Sequence, residues 1–82
     1  MYYECKHGYS FKQILEIADK ETDVVDIVGC DSDACVMTSA FRLWDESYNF
    51  KILTDYIYTT AKDFDNADVI KLLKRNFGEC VV

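Results

Sequence analysis

The sequence predicts a single α+β domain over residues 1–82, in which short strands form an antiparallel sheet packed by about three helices. Half of the residues are hydrophobic, which is enough for one core in a chain of 82 residues. A β-branched run over residues 23–29 is typical of a strand. Apolar residues at helical spacing fill much of the second half and predict helices there. An all-α fold is the alternative.

The first half of the chain predicts a strand, a helix and a second strand. Residues 1–5 are rich in aromatic side chains and favour a short strand. A helix is expected over residues 10–20, because Ser10 and Gln13 have the spacing of a capping box and apolar residues follow at helical spacing. The second strand covers residues 23–29 and ends at a polar segment, residues 30–33, with the composition of a turn.

Residues 34–44 fit two patterns. Read as a strand, the segment has one face that carries Cys35, Met37, Phe41 and Leu43, although Ser39 interrupts the alternation. Read as a helix with Ser32 as its cap, the segment has an apolar stripe of Met37, Ala40, Phe41 and Trp44. We favour the strand, which would form a hairpin with residues 23–29, and keep the helix as the alternative.

Two helices and a short strand are predicted for the remainder. Residues 47–63 form the first helix, because apolar residues recur every three or four positions: Phe50, Leu53, Ile57, Ala61 and Phe64. Asp65 caps the second helix, with Asp68 in the capping-box position and Gly78 at the C-terminal end. Residues 79–82 are expected to pair as an edge strand.

Negative charge is concentrated between residues 16 and 33. This stretch carries one cation, Lys20, and seven acidic residues: Glu16, Asp19, Glu21, Asp23, Asp26, Asp31 and Asp33. Its acidic excess equals the formal net charge of the whole chain, −6. An isoelectric point near 4.5 argues against direct nucleic-acid binding and against binding to an anionic membrane surface, since both require Lys and Arg. A basic protein surface is the partner that fits this charge.

The sequence therefore favours a non-enzymatic binding protein that blocks or regulates a basic, nucleic-acid-binding partner protein. Carboxylates would occupy a groove that selects phosphates largely by charge. Tyr58, which lies off the predicted apolar stripe, would add an exposed aromatic contact. The competing interpretation is a solvated acidic surface that keeps a small protein soluble.

In size and charge the chain resembles the nucleic-acid-mimicking inhibitors of phages and mobile elements, of which anti-CRISPR proteins are the best-known group. The resemblance lies in these bulk properties and covers no particular residues. It implies that the acidic residues stand in for phosphates. We expect the protein to be a monomer or a dimer.

The cysteines offer an alternative function, a small zinc-stabilised interaction module. Cys5, His7, Cys30 and Cys35 supply the residue types of a tetrahedral zinc site, but neither cysteine pair has the usual spacing of two to four residues. We therefore expect reduced thiols and no cofactor. Catalysis is not expected either, because His7 is the only histidine and no third group is placed to orient it beside Cys5.

Nothing in the sequence indicates a membrane or secreted protein. No apolar segment approaches the ~20 residues that a membrane-spanning helix requires. Residues 1–12 lack the charged and apolar regions of a signal peptide, which favours a cytoplasmic location.

Overall fold

The computed structural model describes residues 14–82. The predicted strand over residues 1–5 and the start of the predicted helix over residues 10–20 lie outside this range. The described elements, in chain order, are α1 (Ile14–Ile17), β1 (Val24–Cys30), α2 (Cys35–Asp45), β2 (Asn49–Tyr58) and α3 (Asn66–Phe77), followed by a 3-10 turn (Gly78–Cys80).

β1 and β2 form a parallel pair joined by α2. Parallel neighbours require a crossover connection, and α2 supplies it. The register runs from Val24 opposite Asn49 to Ile27 opposite Ile52, and then shifts so that Gly29 lies opposite Ile57. Residues 53–56 of β2 therefore bulge out of the ladder within this shift.

The C-terminal residues extend the sheet beside β2. Val81 forms a parallel bridge with Ile52, and the Val82 N–H donates to the Ile52 carbonyl at 2.9 Å. The Thr54 N–H in turn donates to the Val82 carbonyl at 2.9 Å. The predicted edge pairing of residues 79–82 is thus confirmed for the last two residues, and β2 lies between β1 and the C-terminus.

One hydrophobic cluster joins the sheet to α2 and α3. The most deeply buried members come from all three elements: Ile52 in β2, Ala40 and Leu43 in α2, and Leu73 in α3. The Phe77 ring contacts three other aromatic rings at centroid distances of 4.8–5.8 Å: those of Phe41, Trp44 and Phe50. These edge-on and tilted contacts fasten the end of α3 to α2 and β2.

The predicted antiparallel sheet is wrong, because residues 35–45 form a helix rather than a strand. Val36, Ala40 and Leu43 are buried at helical spacing and cover the sheet. Ser39, which interrupted the strand pattern, is partly buried in this helix. Since α2 returns the chain to the end of the sheet where β1 began, β2 runs parallel to β1, and the favoured hairpin cannot form.

The predicted helix over residues 47–63 is also wrong, and the bulge in β2 explains why. Phe50 and Ile52 are buried on alternate positions, as in a strand, but the shifted register makes Ile57 the next buried residue. The predicted helical stripe joined Phe50 to Ile57 through Leu53, a partly buried residue of the bulge, and left out Ile52, which is fully buried. Tyr56, within the bulge, is 67% exposed.

The prediction for α3 is confirmed. Asp65 precedes the helix with extended backbone angles, and its N–H donates to the Asp68 carboxylate at 3.4 Å, forming the capping box. Gly78 follows the helix with a φ of 55°, a conformation that glycine adopts without a steric cost.

Candidate functional site

The structure divides the seven acidic residues into two groups. Five are exposed and lie between α1 and the middle of β1; we call them the acidic surface: Glu16, Asp19, Glu21, Asp23 and Asp26. The other two, Asp31 and Asp33, are partly buried in the loop that follows β1. The acidic residues between positions 16 and 33 therefore form two groups with different surroundings.

The turn before β1 is ordered by its own side chains. The Asp19 N–H donates to the Asp23 carboxylate at 2.8 Å, and the Glu21 N–H donates to the Asp19 carboxylate at 2.9 Å. A backbone bond from the Asp23 N–H to the Asp19 carbonyl, also 2.8 Å, closes the turn. These bonds hold the carboxylates of Asp19 and Asp23 in place, whereas the Glu21 carboxylate accepts none of the hydrogen bonds of this turn.

Two cations border the acidic surface. The Lys20 ammonium lies 5.9 Å from the centroid of the Tyr48 ring, a distance suited to a cation–π contact. The Tyr48 hydroxyl donates to the Leu15 carbonyl at 2.9 Å, which ties that ring to α1. Lys51 lies opposite Asp26 in the strand register and limits the acidic surface on the β2 side.

Asp31 and Asp33 connect two loops at the carboxyl end of the sheet. The Asp31 carboxylate accepts from the Thr60 N–H at 2.8 Å and from the Thr60 hydroxyl at 2.9 Å. The Thr59 hydroxyl donates to the Asp33 carboxylate. Both carboxylates therefore hold the loop after β1 against the loop after β2.

Ser32, between these two carboxylates, is completely buried. Its hydroxyl donates to the Asn66 side-chain oxygen at 2.6 Å, and its N–H donates to the Tyr58 carbonyl at 2.8 Å. The Asn66 amide group donates in turn to the Ile57 carbonyl at 3.1 Å. Satisfied polar groups of this kind fix one arrangement of the chain, because an unpaired buried group is costly.

Ligands of open α/β sheets bind outside the carboxyl ends of the parallel strands, which is where this cluster lies. Here, however, protein donors already occupy the two carboxylates. Within residues 14–82, no group of three His, Cys, Asp or Glu side chains is placed to hold a metal ion. The arrangement is that of a structural clamp between loops.

Replacing Asp31 with alanine tests this clamp. We expect the free energy of unfolding to fall by about 1–2 kcal/mol, since two hydrogen bonds to the carboxylate are lost. Asp63→Ala, an exposed residue of the loop between β2 and α3, is the control and is expected to change it by less than about 0.5 kcal/mol. Urea unfolding measures both, and equal stability of the two variants would contradict the clamp.

Tyr58 is 55% exposed, consistent in position with an exposed aromatic contact. It lies opposite Cys30 in the parallel register, so the two side chains share a face of the sheet. A side-chain hydrogen bond with Cys30 raises the pKa of Tyr58 above its ordinary value, and the electrostatic interaction with Cys30 adds to the shift. Slight desolvation and the charge of Asp31 act in the same direction.

Cys30→Ala is expected to lower the pKa of Tyr58, because it removes the two largest causes of the shift. Tyrosinate absorbance, with Tyr58→Phe to assign the titration, measures the change. Because the pKa of Tyr58 is higher in the folded chain than in the unfolded chain, the protonated phenol stabilises the fold below the ordinary pKa of tyrosine. This stabilisation is lost as pH rises through the folded-state pKa. An unchanged Tyr58 titration in Cys30→Ala would contradict the assigned contact.

The residues of the zinc alternative are only partly described. Cys30 ends β1 and is exposed, whereas Cys35 begins α2 and is partly buried. Cys5 and His7 lie outside the described residues, so the four-residue set remains a prediction.

Sequence reasoning missed an apolar part of the exposed sheet face. Val24 and Val28 are 54% and 49% exposed, on either side of Asp26 along β1. Val25 and Ile27, at the intervening positions, face the core side and are partly or fully buried. The signal available in the sequence was Asp26 itself, since a carboxylate at a central strand position marks the solvent-facing side of its strand.

No protein-family model, curated protein or solved structure matches the chain. Over residues 14–82, no helix combines the length and the apolar character needed to cross a membrane.

Proposed function

We propose that this chain is a non-catalytic binding protein whose acidic surface contacts a basic surface of a nucleic-acid-binding partner protein. The observation that carries the proposal is the exposure of all five carboxylates of the acidic surface within a stretch of eleven residues, 16–26. The only cation inside that stretch, Lys20, is positioned over the Tyr48 ring. A surface with this concentration of one charge attracts an oppositely charged partner and speeds its association.

Order in the turn before β1 further supports the proposal. Asp19 and Asp23 are held by hydrogen bonds to backbone N–H groups, so binding would not have to immobilise these side chains. Asp31 and Asp33 do not belong to the proposed contact, because their carboxylates hold the threonines of the neighbouring loop. The proposed role is similar to that of nucleic-acid-mimicking inhibitors, with the acidic surface in place of phosphates.

Binding to a fluorescent lysine oligomer tests the proposal with a defined probe. We expect the affinity of the chain to fall steeply as salt is raised, because the contact is electrostatic and solvent-exposed. The double variant Glu21→Gln/Asp26→Asn is expected to bind more weakly and with a smaller salt dependence. The matched control, Asp55→Asn/Asp63→Asn, removes the same charge from two exposed residues elsewhere.

The solubility interpretation predicts a different outcome. If the carboxylates serve only to solvate the protein, affinity will follow net charge, and the two double variants will bind the lysine oligomer equally weakly. That result would overturn the proposed function.

A further inference from the structure

The exposed face of β1 alternates apolar and acidic side chains. Val24, Asp26 and Val28 lie on this face at successive alternate positions, and each is exposed. Tyr58, at the carboxyl end of β2, lies opposite Cys30 in the register and continues the apolar surface on this face. The acidic surface therefore reaches the exposed apolar residues of this face at Asp26, which belongs to both.

The spacing along β1 suits a helix lying along the strand. Val24 and Val28 are four residues apart, which corresponds to about 13 Å of extended chain. Positions i and i+7 of a helix are about 10.5 Å apart on one side, with i+3 and i+4 between them. Side chains of ordinary length bridge the difference, so two apolar helix residues can contact the valines while a cation faces Asp26.

We infer that this face binds an amphipathic, basic helix of the partner protein. Apolar residues at i and i+7 contact Val24 and Val28, and a Lys or Arg at i+3 or i+4 pairs with Asp26. The inference rests on the proposed function and names the partner element that the acidic surface recognises. Charge complementarity selects a basic helix. The turn before β1 ends at Asp23, directly before Val24, and so places carboxylates beside the amino-terminal end of this face.

The apolar contacts give such a helix an advantage over a merely cationic chain. Contact with the valines excludes water from the ion pair at Asp26, which strengthens the electrostatic attraction. Lys51 lies opposite Asp26 and offsets part of its charge on the β2 side, so the net negative charge of this face lies towards β1 and the carboxylates that precede it.

Two probes of equal charge test the inference: the lysine oligomer, and a helical Lys/Leu peptide with leucine at i and i+7. We expect the chain to bind the helical peptide at least about tenfold more tightly. Val24→Thr/Val28→Thr keeps β-branched residues in the strand and is expected to remove most of this gain, while leaving the affinity for the lysine oligomer unchanged. Leu72→Gln changes a side chain of α3 that is 47% exposed and is expected to preserve the gain.

Equal affinity for the two probes would overturn the inference, and so would an equal loss in Leu72→Gln. If Val24→Thr/Val28→Thr has a lower native mass than the unsubstituted chain, a second copy of the chain covers the face. Strong destabilisation of that variant would show that the chain covers the face itself, and either result would also overturn the inference. The proposed function fails separately, if the affinity for the lysine oligomer does not depend on Glu21 and Asp26.

Discussion

Leu73→Ala is expected to lower the free energy of unfolding by about 2–5 kcal/mol, the range for a leucine truncated in a packed core. Leu73 has no exposed surface and lies on the face of α3 that packs against the hydrophobic cluster. Total stabilities of small domains are about 5–15 kcal/mol, so this loss removes a large part of the margin. If the variant remains folded, urea unfolding measures the loss. A variant that is unfolded without urea would have lost at least the whole free energy of unfolding of the original chain.

The adjacent residue provides a matched control. Leu72→Ala makes the same substitution in the same helix, but Leu72 is 47% exposed. Its effect is expected to be within about 0.5 kcal/mol, because few contacts are lost at a surface position. Equal losses in the two variants would contradict the packing of α3 described here.

Charge reversal in the acidic surface is expected to weaken binding to the lysine oligomer by at least about tenfold at low salt. Glu21→Lys/Asp26→Lys replaces attraction with repulsion at two exposed positions that contribute no side-chain hydrogen bond to the turn before β1. Asp23 is left unchanged, since its carboxylate accepts the Asp19 N–H. The salt dependence of the remaining binding is expected to flatten.

Asp55→Lys/Asp63→Lys is the control for charge reversal, because it changes the net charge equally at exposed residues of β2 and the loop that follows. Unfolding in urea should accompany both binding measurements, since Asp26→Lys places two like charges opposite each other at Lys51. If the control variant loses as much affinity as Glu21→Lys/Asp26→Lys, the acidic surface is not the binding site.

The elements that were predicted correctly are those whose sequence signals lie within the element or beside it. The capping box of Asp65 and Asp68, the apolar stripe of α3 and the final Gly78 all lie within one stretch of the chain. The β-branched residues of β1 likewise indicated a strand without reference to its partner.

The elements that were mispredicted depend on distant contacts. The bulge of residues 53–56 in β2 exists only relative to β1, and it interrupts the alternation typical of a strand between Ile52 and Ile57. Residues 34–44 carried two patterns of similar quality, and packing of Val36, Ala40 and Leu43 on the sheet decided between them. The direction of β2 followed from that helix.

The candidate site shows the same division between local and distant information. Exposure of the acidic residues near the start of β1 follows from a polar stretch beside a strand. The different surroundings of Asp31 and Asp33 depend on Thr59 and Thr60, which lie 26 and 29 residues away in sequence. The exposure of Val24 and Val28 depends on which face of the sheet the helices cover, and that face cannot be predicted from the sequence of β1 alone.

The most direct test of the proposed function is a nuclear magnetic resonance titration of the isotope-labelled chain with the lysine oligomer. It locates the contact without any substitution. Amide shift changes are expected to concentrate in residues 16–26 and to weaken as salt is added. Changes distributed equally over the acidic residues, including Asp55 and Asp63, would contradict a dedicated acidic binding surface.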